Sequence, residues 1–124
     1  MRLPPGIGRA DEAAARTFVA QELGYKIVET NFRTREGEID IVAVDDGTQV
    51  FIEVKTRTNR GFGSGVEQIF IRKAHRLQAT AQRYLAEHGL DGTEWRIDLV
   101  SVEMSRSGGV EHIEHVPSAI EEQL

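Results

Sequence analysis

Apolar and polar residues alternate on either side of positions 46 and 47. Ile39, Ile41 and Ala43 stand two apart, and so do Val50, Ile52 and Val54. That period predicts two strands, each with one apolar face. Between them lies Asp46-Gly47, a dipeptide strongly preferred in two-residue hairpin turns. With that turn Asp45 opposes Thr48, and opposed positions sum to 93. Asp40 is then expected opposite Glu53 and Glu38 opposite Lys55, all four on one face. Val42 and Phe51 share that face nearer the turn, so another element is expected to cover part of it.

Helical spacing governs two other stretches. Gly8, Glu12, Ala15, Val19 and Leu23, with Phe18 beside them, predict a helix over residues 7–23 that closes at Gly24. Ala74, Leu77, Ala81, Tyr84 and Leu85 predict a second over residues 71–88. Residues 25–32 read as a strand that turns through 33–37 into the hairpin. Residues 56–65 hold three glycines, Arg57, Arg60 and Phe62, and read as a mobile loop. They lack the Gly-Lys-Ser/Thr ending of a phosphate-cradling loop. Residues 94–104 alternate again, with Trp95, Ile97 and Leu99 on one face and Arg96, Asp98, Val100 and Val102 on the other. A turn over 105–109 leads to a return strand over 110–116, and Pro117 opens a tail.

Composition narrows the class. A chain of 124 residues is expected to form a single domain, 1–124, able to bury a core unaided. The absence of cysteine excludes disulfides, thiolate zinc sites and cysteine nucleophiles. No apolar run nears 18 residues and the first residues do not read as a signal peptide. No membrane span is therefore expected, and the cytoplasm is the expected compartment.

Net charge is −5, but it is unevenly spread. Between positions 53 and 83 seven basic residues face two acidic ones, a net +5 that leaves −10 for the rest. The stretch is either a solvated basic face or a positive stripe beside an acidic pocket. In the second reading Arg57, Arg60, Arg72 and Lys73 contact phosphate and Phe62 stacks on a base. Arg72, Lys73 and Arg76 oppose the dipole at a helix start, a cost that a bound phosphate offsets.

The candidate chemistry is the pair of opposed acids. Two carboxylates about 4 Å apart repel by roughly 1 kcal/mol in water and about 4 kcal/mol at an effective dielectric of 20. Protonation of one acid, a bridging Lys55 or arginine, or a divalent cation relieves that repulsion. Mg²⁺ suits such a site, because it takes one or two carboxylates and keeps several waters. Glu12 is either a first-turn acid favoured by the helix dipole or a third carboxylate aimed at the sheet. Asp98 is expected to pair with Arg96 or with a base on a neighbouring strand. His112 and His115, three apart on a strand, face opposite ways and make a poor metal pair. His75 and His88 read as surface helix residues.

Glu12, Gly37-Glu38-Ile39-Asp40, Phe51-Ile52-Glu53-Val54-Lys55, Arg72-Lys73 with Leu77, Arg96-Ile97-Asp98 and Pro117-Ser118-Ala119-Ile120 together resemble the YraN-type family. That uncharacterised family is assigned to the PD-(D/E)XK nuclease superfamily, near the Holliday-junction resolvases. The resemblance covers nearly the whole chain. It implies an α/β, restriction-endonuclease-like fold: an α-β-β-β-α-β core whose mixed sheet is flanked by helices. By the same resemblance Asp40 and Glu53 bind Mg²⁺ (or Mn²⁺), Glu12 supports the metal, and Lys55 orients or activates the attacking water. Ile39 departs from the pattern, standing where the superfamily name has Pro, and Phe70-Ile71 departs at the helix start. The implied activity is metal-dependent endonuclease cleavage of structured or damaged DNA. The alternative is an inactive nucleic-acid-binding or assembly module on the same fold. Resolvase-like proteins often dimerise, so the resemblance extends to a homodimer.

Overall fold

The computed structural model describes residues 7–58 and 63–120, with side chains at 10–58 and 73–120. Two helices and five strands follow the order α1 (Ile7–Thr17), β1 (Lys26–Arg33), β2 (Glu38–Asp45), β3 (Thr48–Thr58), α2 (Gly63–Glu87), β4 (Trp95–Met104) and β5 (Val110–Ile120). The strands form one mixed sheet in the order β1-β2-β3-β4-β5. Strands β1 to β3 are antiparallel neighbours. Helix α2 then carries the chain over the sheet, so β4 runs parallel to β3, and β5 returns antiparallel to β4. A parallel pair requires such a crossover. Among the described residues no helix is long and apolar enough to cross a membrane.

Each face of the sheet buries its own core. On one side Leu77, Ala81, Tyr84 and Leu85 of α2 cover Val42, Phe51 and Ile97. These helix positions are the stripe read from the sequence. On the other side Ala15 and Val19 cover Ile41, Ala43, Val50, Ile52, Val100 and Val102. The period-2 pattern sorts most strand residues correctly between the two, including both faces of β4.

Four expectations are corrected. The first helix is divided: α1 passes into a π-helical turn, Phe18–Glu22, where Leu23 N–H donates to Phe18 O at 3.0 Å. Gly24 follows with φ +74°, as a closing residue should. The expected loop over 56–65 is shortened at both ends: β3 runs on to Thr58 in pairing with β4, and helix α2 starts at Gly63. Its glycines and Val66, Ile69, Phe70 and Ile71 have weak helical propensity, which hides the first turns. Strand β5 continues past Pro117. It is the last strand of the sheet, with irregular pairing between Ile97 and Leu99 on its neighbour, and edges and bulges tolerate proline. Ile39, finally, packs in the α2 core with Phe32, not beside Ile41. The change of face occurs where Asn31, at φ +56°, stands across from Asp40. Asn is among the few residues that enter the left-handed region readily.

Gly37 is required by close approach. A Cβ there would lie 3.2 Å from Thr80 Oγ1, and that hydroxyl is fully buried and donates to Arg76 O at 2.7 Å. It therefore has little room to yield. Gly37→Ala is expected to destabilise the protein by about 1 kcal/mol, within the range for overpacking. Thr80→Ala in the same chain should recover part of the loss. Denaturant titration of both single variants and the double variant measures the coupling.

Candidate functional site

The hairpin turn is as the sequence predicts. Asp46 (φ +49°) and Gly47 (φ +90°) both lie in the left-handed region, the signature of a type I′ turn. Asp45 pairs with Thr48, and the register runs on to Ile41 opposite Ile52. There the β2–β3 ladder ends. Asp40 and Glu53 are not ladder partners, nor are Glu38 and Lys55. Asp40 Oδ2 instead accepts the Val54 N–H at 2.7 Å, so a side chain takes the place of a backbone acceptor. Glu38 turns to β1, pairing with Arg33 in the ladder and forming an ion pair in which its Oε2 lies 3.3 Å from Arg33 Nε.

This parting of the strands leaves a cavity of about 310 Å³ on the α2 side, walled by Gly37, Glu38, Asp40, Glu53, Val54, Lys73, Arg76 and Leu77. Three acids and two bases share that wall. Glu53 is only 4 % exposed. Lys73 Nζ, reaching in from α2, donates to Glu53 Oε2 at 2.8 Å. Burial, and then the negative charge of Glu53, push the Asp40 carboxyl up to about 7; the Val54 N–H opposes this by favouring the ionised form. The repulsion expected between the two acids is thus present although their backbones do not pair.

The remaining site residues are distributed as follows. Glu12 is exposed, yet with Arg16, Asn31, Ile41 and Val54 it lines a small depression on the α1 side that also reaches Asp40. Asp40 therefore faces both depressions, and Glu12 approaches it from the far side of the sheet. Asp11, beside Glu12, accepts a hydrogen bond from Thr56 Oγ1 and ties α1 to β3. Lys55 lies two residues beyond Glu53, on the same face by strand alternation, and is half-buried. The base on Glu53 is Lys73. Arg57 is half-buried on β3, with its Nε buried and without a partner among the described residues. Arg60 and the side chain of Arg72 lie outside the described residues, as does Phe62.

Arg76, which the sequence marks only as a helix-start base, joins the site because it stands one helical turn from Lys73 and so on the same helix face. Asn31 and the Val54 N–H carry no signal in the sequence, because each matters only through a neighbouring strand. Among the described residues no three carboxylates or histidines gather closely enough to hold a metal ion. The donor set at the opening of the hairpin is two carboxylates.

Comparison with known proteins places the chain among close relatives. The profile of an uncharacterised protein family, UPF0102, matches residues 11–102. A UPF0102 protein of Roseiflexus castenholzii is 42 % identical over 117 residues, covering 94 % of each chain. One from Beutenbergia cavernae is 42 % identical over 118 residues, covering 94 % of this chain and 99 % of its own. One from Moorella thermoacetica is 42 % identical over 112 residues, covering 90 % and 92 %.

Proposed function

The chain belongs to the uncharacterised protein family UPF0102, and we propose that it is a Mg²⁺-dependent endonuclease that hydrolyses phosphodiester bonds in structured or damaged DNA. The observation that carries this reading is the acid pair: Asp40 and Glu53, from two strands, meet beside Lys73 and Arg76 in one cavity. We read the fold accordingly as a restriction-endonuclease-like core. The order α1, β1 to β3, α2, β4 and the cores on both faces of a mixed sheet support that reading.

The residues fit a Mg²⁺ ion. Asp40 is already disfavoured as an anion by burial and then by Glu53, and a divalent cation relieves that cost. Two carboxylates with water completing the shell are a usual Mg²⁺ donor set. Bound there, Mg²⁺ (or Mn²⁺) would supply polarisation of the phosphate and a water of lowered pKa. The chain's own groups do the rest. Asp40 and Glu53 hold the charge in place, and Glu12 supports them from the α1 side. Lys55 holds the attacking water or the developing negative charge. Arg76 in the cavity wall contacts the backbone, joined in this reading by Arg57, Arg60 and Arg72. Binding through such contacts falls steeply with salt.

The test is a screen of branched, flapped, nicked and single-stranded DNA for cleavage with Mg²⁺ or Mn²⁺, run beside Asp40→Asn. Cleavage by the wild type and not by the variant is expected. DNA binding by both with cleavage by neither would replace this reading with a binding module that has lost turnover. The Lys73–Glu53 bond favours that second reading, because it occupies one of the two acids.

A further inference from the structure

We propose that Lys73 is the site's internal counter-ion: a positioning residue that holds Glu53 until a divalent cation displaces it, and whose freed ammonium then faces the phosphate. This inference rests on the reading above. Its starting point is a mismatch of exposure. The Glu53 side chain is 5 % exposed and the Lys73 side chain 43 %. A buried carboxylate needs a compensating charge. Here that charge is at the end of a flexible stem that reaches solvent, so it can leave without being stranded in an apolar place.

The elements involved make this an exchangeable contact. Asp40 and Glu53 are held by the sheet, and Asp40 is further fixed by the Val54 N–H at 2.7 Å. Lys73 comes from α2, across the cavity, and meets Glu53 through one Nζ–Oε2 bond of 2.8 Å. A cation seated on Glu53 competes for that oxygen. Once displaced, the ammonium remains in the same cavity wall as Arg76, where two positive charges face a phosphate. Cation binding and phosphate binding then favour each other, because the cation makes Lys73 available. The base that meets Glu53 in the structure is Lys73 and not Lys55.

The experiment uses Mn²⁺ as the probe. Calorimetry compares the wild type with Lys73→Met, Lys73→Gln and Glu53→Gln. An ion pair with a half-exposed partner is broken at modest cost, so both Lys73 variants should bind Mn²⁺ about three- to tenfold more tightly than the wild type. Glu53→Gln should lose the binding. In the wild type itself, amine-reactive labelling read by mass spectrometry should show Lys73 about threefold more reactive at saturating Mn²⁺, with Lys26 unchanged; a merely structural lysine would not respond. Wild-type binding without tightening in either Lys73 variant overturns this inference and leaves the nuclease reading standing. No Mn²⁺ binding by any of the proteins overturns both.

Discussion

Asp40→Asn is expected to lose Mg²⁺-dependent cleavage by about a hundred- to a thousandfold, the order that removing a key electrostatic group costs, while unfolding at a higher temperature than the wild type at pH 8. The two effects have one cause. In the folded protein burial and Glu53 raise the Asp40 carboxyl to about 7, against about 3.9 in an unfolded chain. The folded state therefore holds a proton that the unfolded state has released. Stability from this group is complete below about pH 4 and is lost as pH rises through about 7. The difference corresponds to at most about 4 kcal/mol. Asparagine mimics the protonated acid and keeps an oxygen for the Val54 N–H, so the variant should escape the loss. Thermal melts from pH 4 to pH 8 check this. The wild type and variant should coincide near pH 4 and separate by on the order of 10 °C at pH 8. A variant that melts below the wild type at pH 8 would mean that Asp40 stabilises the fold as an anion. Saturating Mg²⁺ should narrow the gap from the wild-type side, because only the wild type retains both carboxylates.

The largest loss of stability is expected at a different acid. Asp98 is fully buried on the face that α1 covers. It accepts from Arg96 Nε at 3.0 Å, His115 Nε2 at 2.8 Å and the Ser118 N–H at 2.9 Å. Arg96 in turn donates to Tyr25 Oη at 2.8 Å and Asp45 Oδ2 at 3.2 Å, and its guanidinium lies 5.6 Å from the centre of the Tyr25 ring. The network joins β4 to β5, to the end of β2 and to the entry of β1. Asp98→Ala removes the shared acceptor and leaves a partly buried guanidinium, an imidazole and a backbone N–H short of partners. Breaking a buried charge network in this way costs about 3 to 5 kcal/mol, or roughly 10 to 20 °C in melting temperature for a domain of this size. Chemical denaturation measures it. Mn²⁺ binding measured well below the melt should be unchanged, since none of these groups lines the cavity with Asp40 and Glu53. Equal stability of the variant and wild type would show that the network contributes specificity and no net stability.

Both acids were visible in the sequence, in different degrees. The pairing of Asp98 with Arg96 follows from their spacing on one strand face, and His115 is the base on the neighbouring strand. His112 stays exposed on the other side, as a period of two requires. The acid pair was legible because the turn is local: Asp46-Gly47 sets the register, and the register carries Asp40 toward Glu53. What could not be read is that the ladder stops at Ile41 and Ile52. Its end involves a left-handed Asn31 on a third strand and the Asp40 side chain competing for the Val54 N–H. Neither leaves a mark in a hydrophobic pattern. The continuation of β5 past Pro117 is hidden for a related reason: proline rules apply to interior strands, and only the sheet order makes β5 an edge.

By itself the sequence determined the type and order of the elements, most of each face of the sheet, the hairpin turn and the nearness of two acids beside a basic stretch. These follow from periods of two and 3.6 residues and from the backbone demands of one dipeptide, all of which act between near neighbours. The tertiary structure alone decided that the hairpin opens into a cavity, that Glu12 approaches Asp40 from the opposite side of the sheet, and that Lys73 and not Lys55 meets Glu53. Those outcomes depend on how α1 and α2 seat on the two cores. Contacts between elements distant in the chain are selected by packing and charge in three dimensions, for which one-dimensional spacing carries no rule.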